Sequence, residues 1–307
     1  MKYSGIGGQA VMEGVMMRNQ DKYAVAVRKE NGEIAVEKRD CKAINNADKL
    51  KNIPFLRGII SFIDSLYLGV TSLMISASFF EDEEPLDNDD KSSKKENAML
   101  GMVVVVSLLF AIGIFMVLPY YLSQLLSLFT ESAIVISIAE GILRIAIFFG
   151  YLLLISNMKD IQRVFMYHGA EHKCINCIES GLELNVENVK KSSRQHKRCG
   201  TNFLFIVIII SVIFFIFLRS DSHILRLVYR LILIPVVAGV SYEILRFGGM
   251  HDGLFVKIIT KPGLLLQNLT TREPDDKMIE VGIASVEAVF DWKEFLTQSE
   301  KSPTSKR

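Results

Sequence analysis

The sequence predicts a mainly α, polytopic helical membrane protein with about four transmembrane helices, an amphipathic interfacial helix and a small N-terminal β-hairpin region. Three observations predict it. Apolar residues gather in four long blocks, at about 99–122, 133–156, 203–218 and 224–245. Lysine and arginine are absent from 123–132 but crowd 157–202, where there are eight. An alternating, turn-punctuated stretch precedes all of this near the N-terminus. The net charge of +1 gives no bulk attraction to nucleic acid, and no aromatic–arginine interleaving suggests it either.

The elements follow in order. Residues 1–54 read as a cytoplasmic N-terminal region: YAVAV, RKENGE and IAVEK form a hairpin whose turn is Asn31-Gly32. The opening MKYSGIGGQAVMEG has no apolar h-region, so a cleavable signal peptide is not expected. Over 55–80, Leu56, Ile59, Ile60, Ile63, Leu66 and Val70 recur at helical spacing opposite Arg57, Ser61, Asp64 and Ser65. This amphipathic helix is expected to lie in the interface or pack on the bundle, with a fifth span as the rival. The charged stretch 81–98 has almost no apolar residues and reads as a disordered linker.

A hydrocarbon core of ~30 Å needs about 20 helical residues, which makes 99–156 transmembrane helices 1–2 and 203–245 helices 3–4. The basic loop 157–202 is then cytoplasmic by the positive-inside rule, and both termini with it. Residues 123–132 and 219–223 face outward. The C-terminal region, 246–307, contains PDDKMIEVGIASVEAVFDWKEFL, an amphipathic helix with acidic residues at its start.

Two spans carry charge. Glu140 and Arg144, and Arg226 and Arg230, stand at i, i+4 within the second and fourth blocks. A charge at mid-bilayer costs about 2.5–3.5 kcal/mol on the insertion scale, so partners are required. Glu140 and Arg230 lie at matching depth, ~10 Å from the outer end of each span at 1.5 Å per residue, and are expected to pair.

The cytoplasmic loop holds the chemistry. His168-Gly169-Ala170-Glu171-His172 puts two imidazoles on one helical face with a glutamate beside them, the order of an inverted zinc-protease motif. Gly169 costs that helix about 1 kcal/mol against alanine. Cys174-x-x-Cys177 and His196-x-x-Cys199 add ligand types suited to zinc in a reducing compartment. His168 and His172 are the expected core ligands of a divalent metal, zinc by ligand type. A third comes from His196, Cys199, Glu243 or Glu179, and Glu171 serves as catalytic base. The bland alternative makes SRQHKRCG a basic anchor for lipid headgroups and leaves the histidines as hydrogen-bonding groups.

GGQAVMEGVMMR, YHGAEHK, SRQHKRCGTNF, SYEILRFGG and KPGLLLQNLTTREPDD carry a resemblance. Over roughly residues 3–290 the chain resembles the YqhQ family of bacterial membrane proteins, a family of unknown function labelled as predicted metal-dependent enzymes. The resemblance implies a bacterial inner-membrane location and repeats the metal suggestion, without a reaction. Polar residues of the matched blocks that have no evident core role are Glu13, Glu243, His251, Arg272, Glu273, Asp275 and Asp276.

Two readings of function follow. One is a metal-dependent hydrolase working at the cytoplasmic membrane surface on a lipid or a membrane-protein segment. The other is a non-catalytic scaffold or biogenesis factor, in which the cluster is structural and the hairpin and C-terminal helix bind membrane partners. Three protein ligands and an open position favour the first, a closed four-ligand shell the second. A transporter is weaker, because no repeat or broken helix is evident.

Overall fold

The computed structural model describes residues 3–41, 53–80, 90–218, 222–251 and 253–301. Contacts divide the chain into two compact units. One comprises Met1–Phe80, Leu154–Ile206 and Ala238–Arg307, the other Glu81–Leu153 and Val207–Val237.

The first unit is built on a four-stranded antiparallel meander, β1 (Gly7–Val11), β2 (Gly14–Asn19), β3 (Lys22–Arg28) and β4 (Ile34–Asp40). The expected hairpin is β3–β4, with Gly32 at φ +88° in its turn. The glycine- and methionine-rich stretch before it forms β1–β2, closed by a tight turn in which Glu13 takes φ +50°. Its glycines are needed for close approach. A Cβ on Gly14 would stand 2.2 Å from the Ala26 carbonyl oxygen.

The sheet is covered on both faces, which is why β2 and β3 read as nearly unbroken apolar runs. Val15, Met17 and Ala26 pack with α5 (Lys159–Glu179), α6 (Val186–Lys191) and α10 (Asp276–Val289) through Tyr167, Ile175, Val189, Ile279 and Val281. Val11, Met16, Tyr23, Val25 and Val27 point the other way and meet Leu68 and Ile75 of α1 (Leu56–Ser78). Each such side chain, fully buried, contributes about 1.5–3 kcal/mol.

Among the described residues five helices are long and apolar enough to cross a membrane: Leu56–Ser78, Gly101–Leu128, Ala133–Ile155, Gly200–Phe217 and Ile224–Met250. Contacts set α1 apart from the others. Its second half lies on the sheet, and its first half packs on the later helices. Gly58 is close enough to Gly239 that a Cβ would meet the Gly239 Cα at 3.0 Å, and the Phe62 and Phe203 rings are 5.8 Å apart. Ile63, Leu66, Tyr67, Leu73 and Met74 remain exposed. The chain is therefore a polytopic helical membrane protein, with α1 among the five helices that meet the length and apolarity of a span.

The spans themselves lie close to the expected blocks. The first is composite: α2 (Asp90–Ile112), a π-helical turn at Gly113–Val117, α3 (Leu118–Gln124) and a 3-10 turn at Leu125–Leu128. Pro119, which has no N–H to give the helix, is the second residue of α3, just after the π turn. α2 starts at Asp90, inside the stretch expected to be linker, where Lys94, Lys95, Glu96 and Ala98 are good helix formers. The remainder of that linker, 81–89, and positions 219–221 of the expected outer turn lie outside the described residues. The other spans are α4 (Ala133–Ile155), α7 (Gly200–Phe217) and α8 (His223–Met250). A further helix, α9 (Leu254–Thr270), was not legible in the sequence, where Pro262 interrupts its pattern. The expected C-terminal helix is α10 followed by α11 (Trp292–Lys301).

The second unit buries one charged cluster. Arg230 of α8 is bidentate to Glu140 of α4, at 2.7 Å on each oxygen, as depth matching predicts. Arg144 adds a bond to Glu140 at 2.8 Å and one to Ser211 of α7 at 2.9 Å. The Phe215 ring lies 4.7 Å from the Arg144 guanidinium and 4.8 Å from that of Arg230. Gly141 lets α7 approach, since a Cβ there would meet Val212 at 2.6 Å.

One carboxylate thus serves two arginines, which makes the cluster asymmetric. Glu140→Gln strands both cations and should cost about 3–5 kcal/mol, the usual penalty for breaking a buried pair. Arg230→Gln leaves Glu140 its Arg144 bond and should cost less. In thermal unfolding of the detergent-solubilised protein, the double variant should lose less than the sum of the two. Additive losses would show that the groups do not interact.

Candidate metal centre

Helix α5 carries the site because it is buried although its sequence is polar. From Tyr167 to Glu179 every residue except His168 is buried. A buried polar group left unpaired costs about 1–3 kcal/mol, so each of these side chains needs a partner. The irregular segment after α6 supplies them from its main chain. Lys173 Nζ donates to the Lys190 and Ser192 carbonyls at 2.9 and 3.0 Å. Asn176 Nδ2 donates to those of Ser193 and Gln195 at 2.6 and 2.9 Å.

The two histidines are held in the same way. His172 Nδ1 lies 2.6 Å from the Arg194 carbonyl oxygen, and His168 Nδ1 lies 2.8 Å from that of Thr270 at the end of α9. A carbonyl oxygen only accepts, so both Nδ1 atoms carry the proton, and each Nε2 is turned toward the other ring and Cys199. The ring centroids are 4.3 Å apart, and His168 Nε2 is 3.2 Å from Cys199 Sγ. Among the described residues His168, His172 and Cys199 form the group whose donor atoms all lie within 4.8 Å of one another. His172 Nε2 is buried with no hydrogen-bond partner.

This donor set fits a metal of the zinc type. Imidazole Nε2 atoms with Nδ1–H bound to carbonyls, plus a thiolate, are what such an ion takes, and the outer hydrogen bonds fix tautomer and ring angle. Burial opposes charge on His168, but the Cys199 sulfur outweighs it and raises the imidazole to about 9. Burial would likewise raise Cys199, but the two imidazoles hold it well below an ordinary thiol. Both shifts favour an imidazolium–thiolate pair, and an ion held by these atoms would take the place of the proton between them.

Glu171 is buried on the same turn. Burial pushes its carboxyl above the usual range, partly offset by the histidines and by the Gly8 N–H. Gly8 presses on it so closely that a Cβ would be 2.9 Å from Glu171 Cγ, which accounts for a glycine of the GGQAVMEG block. His196 is near the three donors, its ring 5.6 Å from that of His172, but its Nε2 faces Glu179 at 3.8 Å. Glu179 is occupied by Ser4, at 2.9 Å from its N–H and 2.7 Å from its hydroxyl, and by Arg198. Burial raises that carboxyl, yet the bonds from His196, Ser4 and Arg198 prevail and bring it to about 2.

Glu243 lies away from the donors. Its carboxylate takes Arg57 of α1, with Nε at 2.7 Å. Cys174 and Cys177 belong to the apolar core against α10, with burial pushing both thiols up. Of the other polar residues in the matched blocks, Glu13 binds Arg163 and Tyr167, joining the β1–β2 turn to α5. Asp275 caps α10 by accepting from the Met278 N–H at 2.8 Å, and Asp276 pairs with Lys190 at 2.8 Å. Glu273 takes Lys173 at 2.9 Å. His251 is exposed and stacked on Phe247.

Sequence reasoning missed the residues that hold the ligands. Thr270 contributes only a main-chain oxygen, so its side chain gives no signal. Gln267 is fully buried; it accepts the His196 N–H at 2.8 Å and donates to the His196 carbonyl at 2.8 Å and to Asn202 Oδ1 at 3.0 Å. Both lie in the KPGLLLQNLTTREPDD block.

Gly169 has a reason that propensity hides. A Cβ there would stand 2.0 Å from the Arg272 carbonyl oxygen, so only glycine lets the 272–274 segment cross α5. Intrinsic propensity predicts that Gly169→Ala stabilises the helix by about 1 kcal/mol. The clash reverses that sign, so the variant should melt at a lower temperature than wild type and bind less metal. A variant as stable as wild type would contradict the packing.

A family described as "Protein of unknown function (DUF1385)" matches residues 53–292. The chain is also 36% identical over 303 residues to a Bacillus subtilis (strain 168) protein described as "Uncharacterized protein YqhQ", covering 96% of this chain and 95% of that one. No solved structure matches. The matched span contains α5, Cys199 and the end of α9, and on these grounds the chain belongs to the DUF1385 family that includes YqhQ.

Proposed function

We propose that this protein is a membrane-embedded, metal-dependent hydrolase whose site lies at the cytoplasmic face of a bacterial inner membrane. The observation that carries the proposal is the buried, unpartnered His172 Nε2, which converges with His168 Nε2 and Cys199 Sγ. His168, His172 and Cys199 would hold the ion, and three protein ligands are the number typical of catalytic rather than structural zinc. Bound there, such an ion supplies Lewis acidity and lowers the pKa of that water. The chain's own residues do the rest. The Arg194 and Thr270 carbonyls hold both imidazoles rigid, and Glu171, buried on the same turn, would be the carboxylate that accepts and returns a proton.

Orientation follows from shared cores and lysine and arginine placement. The strands, α5 and α10 share one apolar core, which supports a common side of the bilayer for all three. The spans at Gly101–Leu128 and Ala133–Ile155 cross out and back, and α1 lies on the sheet. With 157–202 cytoplasmic by its basic residues, both termini are cytoplasmic too.

Metal analysis of the purified full chain tests the chemistry. About one zinc, iron or manganese per chain is expected. Loss is expected in His168→Ala, His172→Ala and Cys199→Ala, and full retention in Glu243→Gln and Glu171→Gln. Wild-type protein without stoichiometric metal would refute the reading. If such protein also showed fast alkylation of Cys199, the pair would be a thiolate–imidazolium nucleophile instead. Orientation is checked in intact cells with an impermeant thiol reagent on single cysteines at Ser127 and Ser193 in a cysteine-free background. Labelling at Ser127 and not at Ser193 is expected, and the reverse would overturn the topology.

A further inference from the structure

Beside the metal-ligating residues is a second feature, an open cavity of about 460 Å³ lined by Ser156, Met166, Arg194, Asn268, Leu269, Arg272 and Glu273. Its charge is strongly one-sided. Arg194 and Arg272 face a single acid, Glu273, whose carboxylate is already bound by Lys173 at 2.9 Å and lies 3.7 Å from Arg194. Main-chain oxygens, rather than carboxylates, position the two arginines. Arg272 Nη2 donates to the Ser156 carbonyl at 3.0 Å, and Arg194 Nη1 donates to that of Thr271 at 2.9 Å. A carbonyl orients a guanidinium without cancelling its charge, so two guanidinium groups face one carboxylate at this opening, and that carboxylate is also bound from behind by the buried Lys173.

The location is as specific as the charge. Ser156 directly follows the apolar span α4, and Leu269 lies in the last turn of α9, whose Leu254, Ile258 and Leu265 are exposed. The opening is thus where an apolar helix end meets a cationic wall, the arrangement that suits a headgroup with its acyl chains still in the bilayer. The walls also hold the metal ligands. Arg194, whose side chain lines the cavity, gives its carbonyl to His172, and the Thr270 carbonyl on His168 is two residues from Arg272.

We infer that this cavity binds the phosphate of an anionic membrane lipid, with Arg194 and Arg272 as its phosphate contacts. Guanidinium forks match phosphate oxygens in geometry, and each supplies donors beyond the one used on a carbonyl. The further role, that this lipid is the substrate presented to the metal, rests on the hydrolase reading. Binding itself does not.

The test is native mass spectrometry of the full-length protein in detergent, titrated with phosphatidylglycerol or phosphatidylcholine, with inorganic phosphate as competitor. Phosphatidylglycerol should bind at least tenfold more tightly than phosphatidylcholine, and phosphate should displace it only in large excess. Arg272→Gln should weaken phosphatidylglycerol at least tenfold. Because that variant also loses the Ser156 bond, Asn268→Glu is the second probe. Asn268 is exposed and accepts from Gln195 Nε2 at 3.0 Å, which a carboxylate also does, so the change adds negative charge without removing a support. It too should weaken binding tenfold while leaving metal content unchanged. Equal binding of the two lipids, or undiminished binding in both variants, would overturn the site. Displacement by phosphate at equimolar concentration would mark a pocket for soluble phosphate compounds and overturn the lipid assignment. Lipid binding by metal-free protein would leave the pocket standing and remove only the substrate role.

Discussion

The arrangement depends on one constraint: a polar helix, α5, is buried on nearly all sides and each of its polar atoms must find a partner. Five carbonyls between Lys190 and Gln195 are taken by three α5 side chains, so the irregular segment after α6 has its course set by that helix. The end of α9 is fixed by His168 and by the buried Gln267. Once these bonds are made, the atoms left over are His172 Nε2 and the Cys199–His168 pair, and they meet at one point. The convergence of these three donors is the remainder of a hydrogen-bonding problem that the surrounding loops solve.

The two-sided sheet provides the rigidity. One face seats α5 and α10, the other α1, and the β1–β2 turn returns to α5 through Glu13 and Arg163. Gly8 brings β1 against Glu171, and Gly169 brings the 272–274 segment across α5. Each glycine gives up local propensity for a close approach that a side chain would block, which is the general reason these blocks are glycine-rich around the site.

Much of this was legible in the sequence. Spacing alone placed His168 and His172 on one helical face, the Asn31-Gly32 pair marked a hairpin, and the depth of Glu140 and Arg230 anticipated their ion pair. What was not legible has physical causes. β1 and β2 lack the β-branched runs of ordinary strands because close approach demanded glycine and methionine. Glu243 was expected on the same membrane side as the histidines, but its partner is Arg57, 186 residues earlier in the chain. The supporting carbonyls of Thr270 and Arg194 belong to the backbone and leave no side-chain signature. The C-x-x-C pair matched a metal motif by composition, yet it packs into the apolar core.

The proposed metal site requires that two Nε2 atoms and one sulfur close on a single ion and leave it an open place. Cobalt substitution reads this directly. The cobalt-loaded wild-type protein should show the intense visible bands of a four-coordinate ion together with a near-ultraviolet thiolate charge-transfer band. Cys199→Ser should lose the charge-transfer band while keeping bound cobalt. Weak bands of a six-coordinate ion in wild type, or a charge-transfer band that survives Cys199→Ser, would contradict the account.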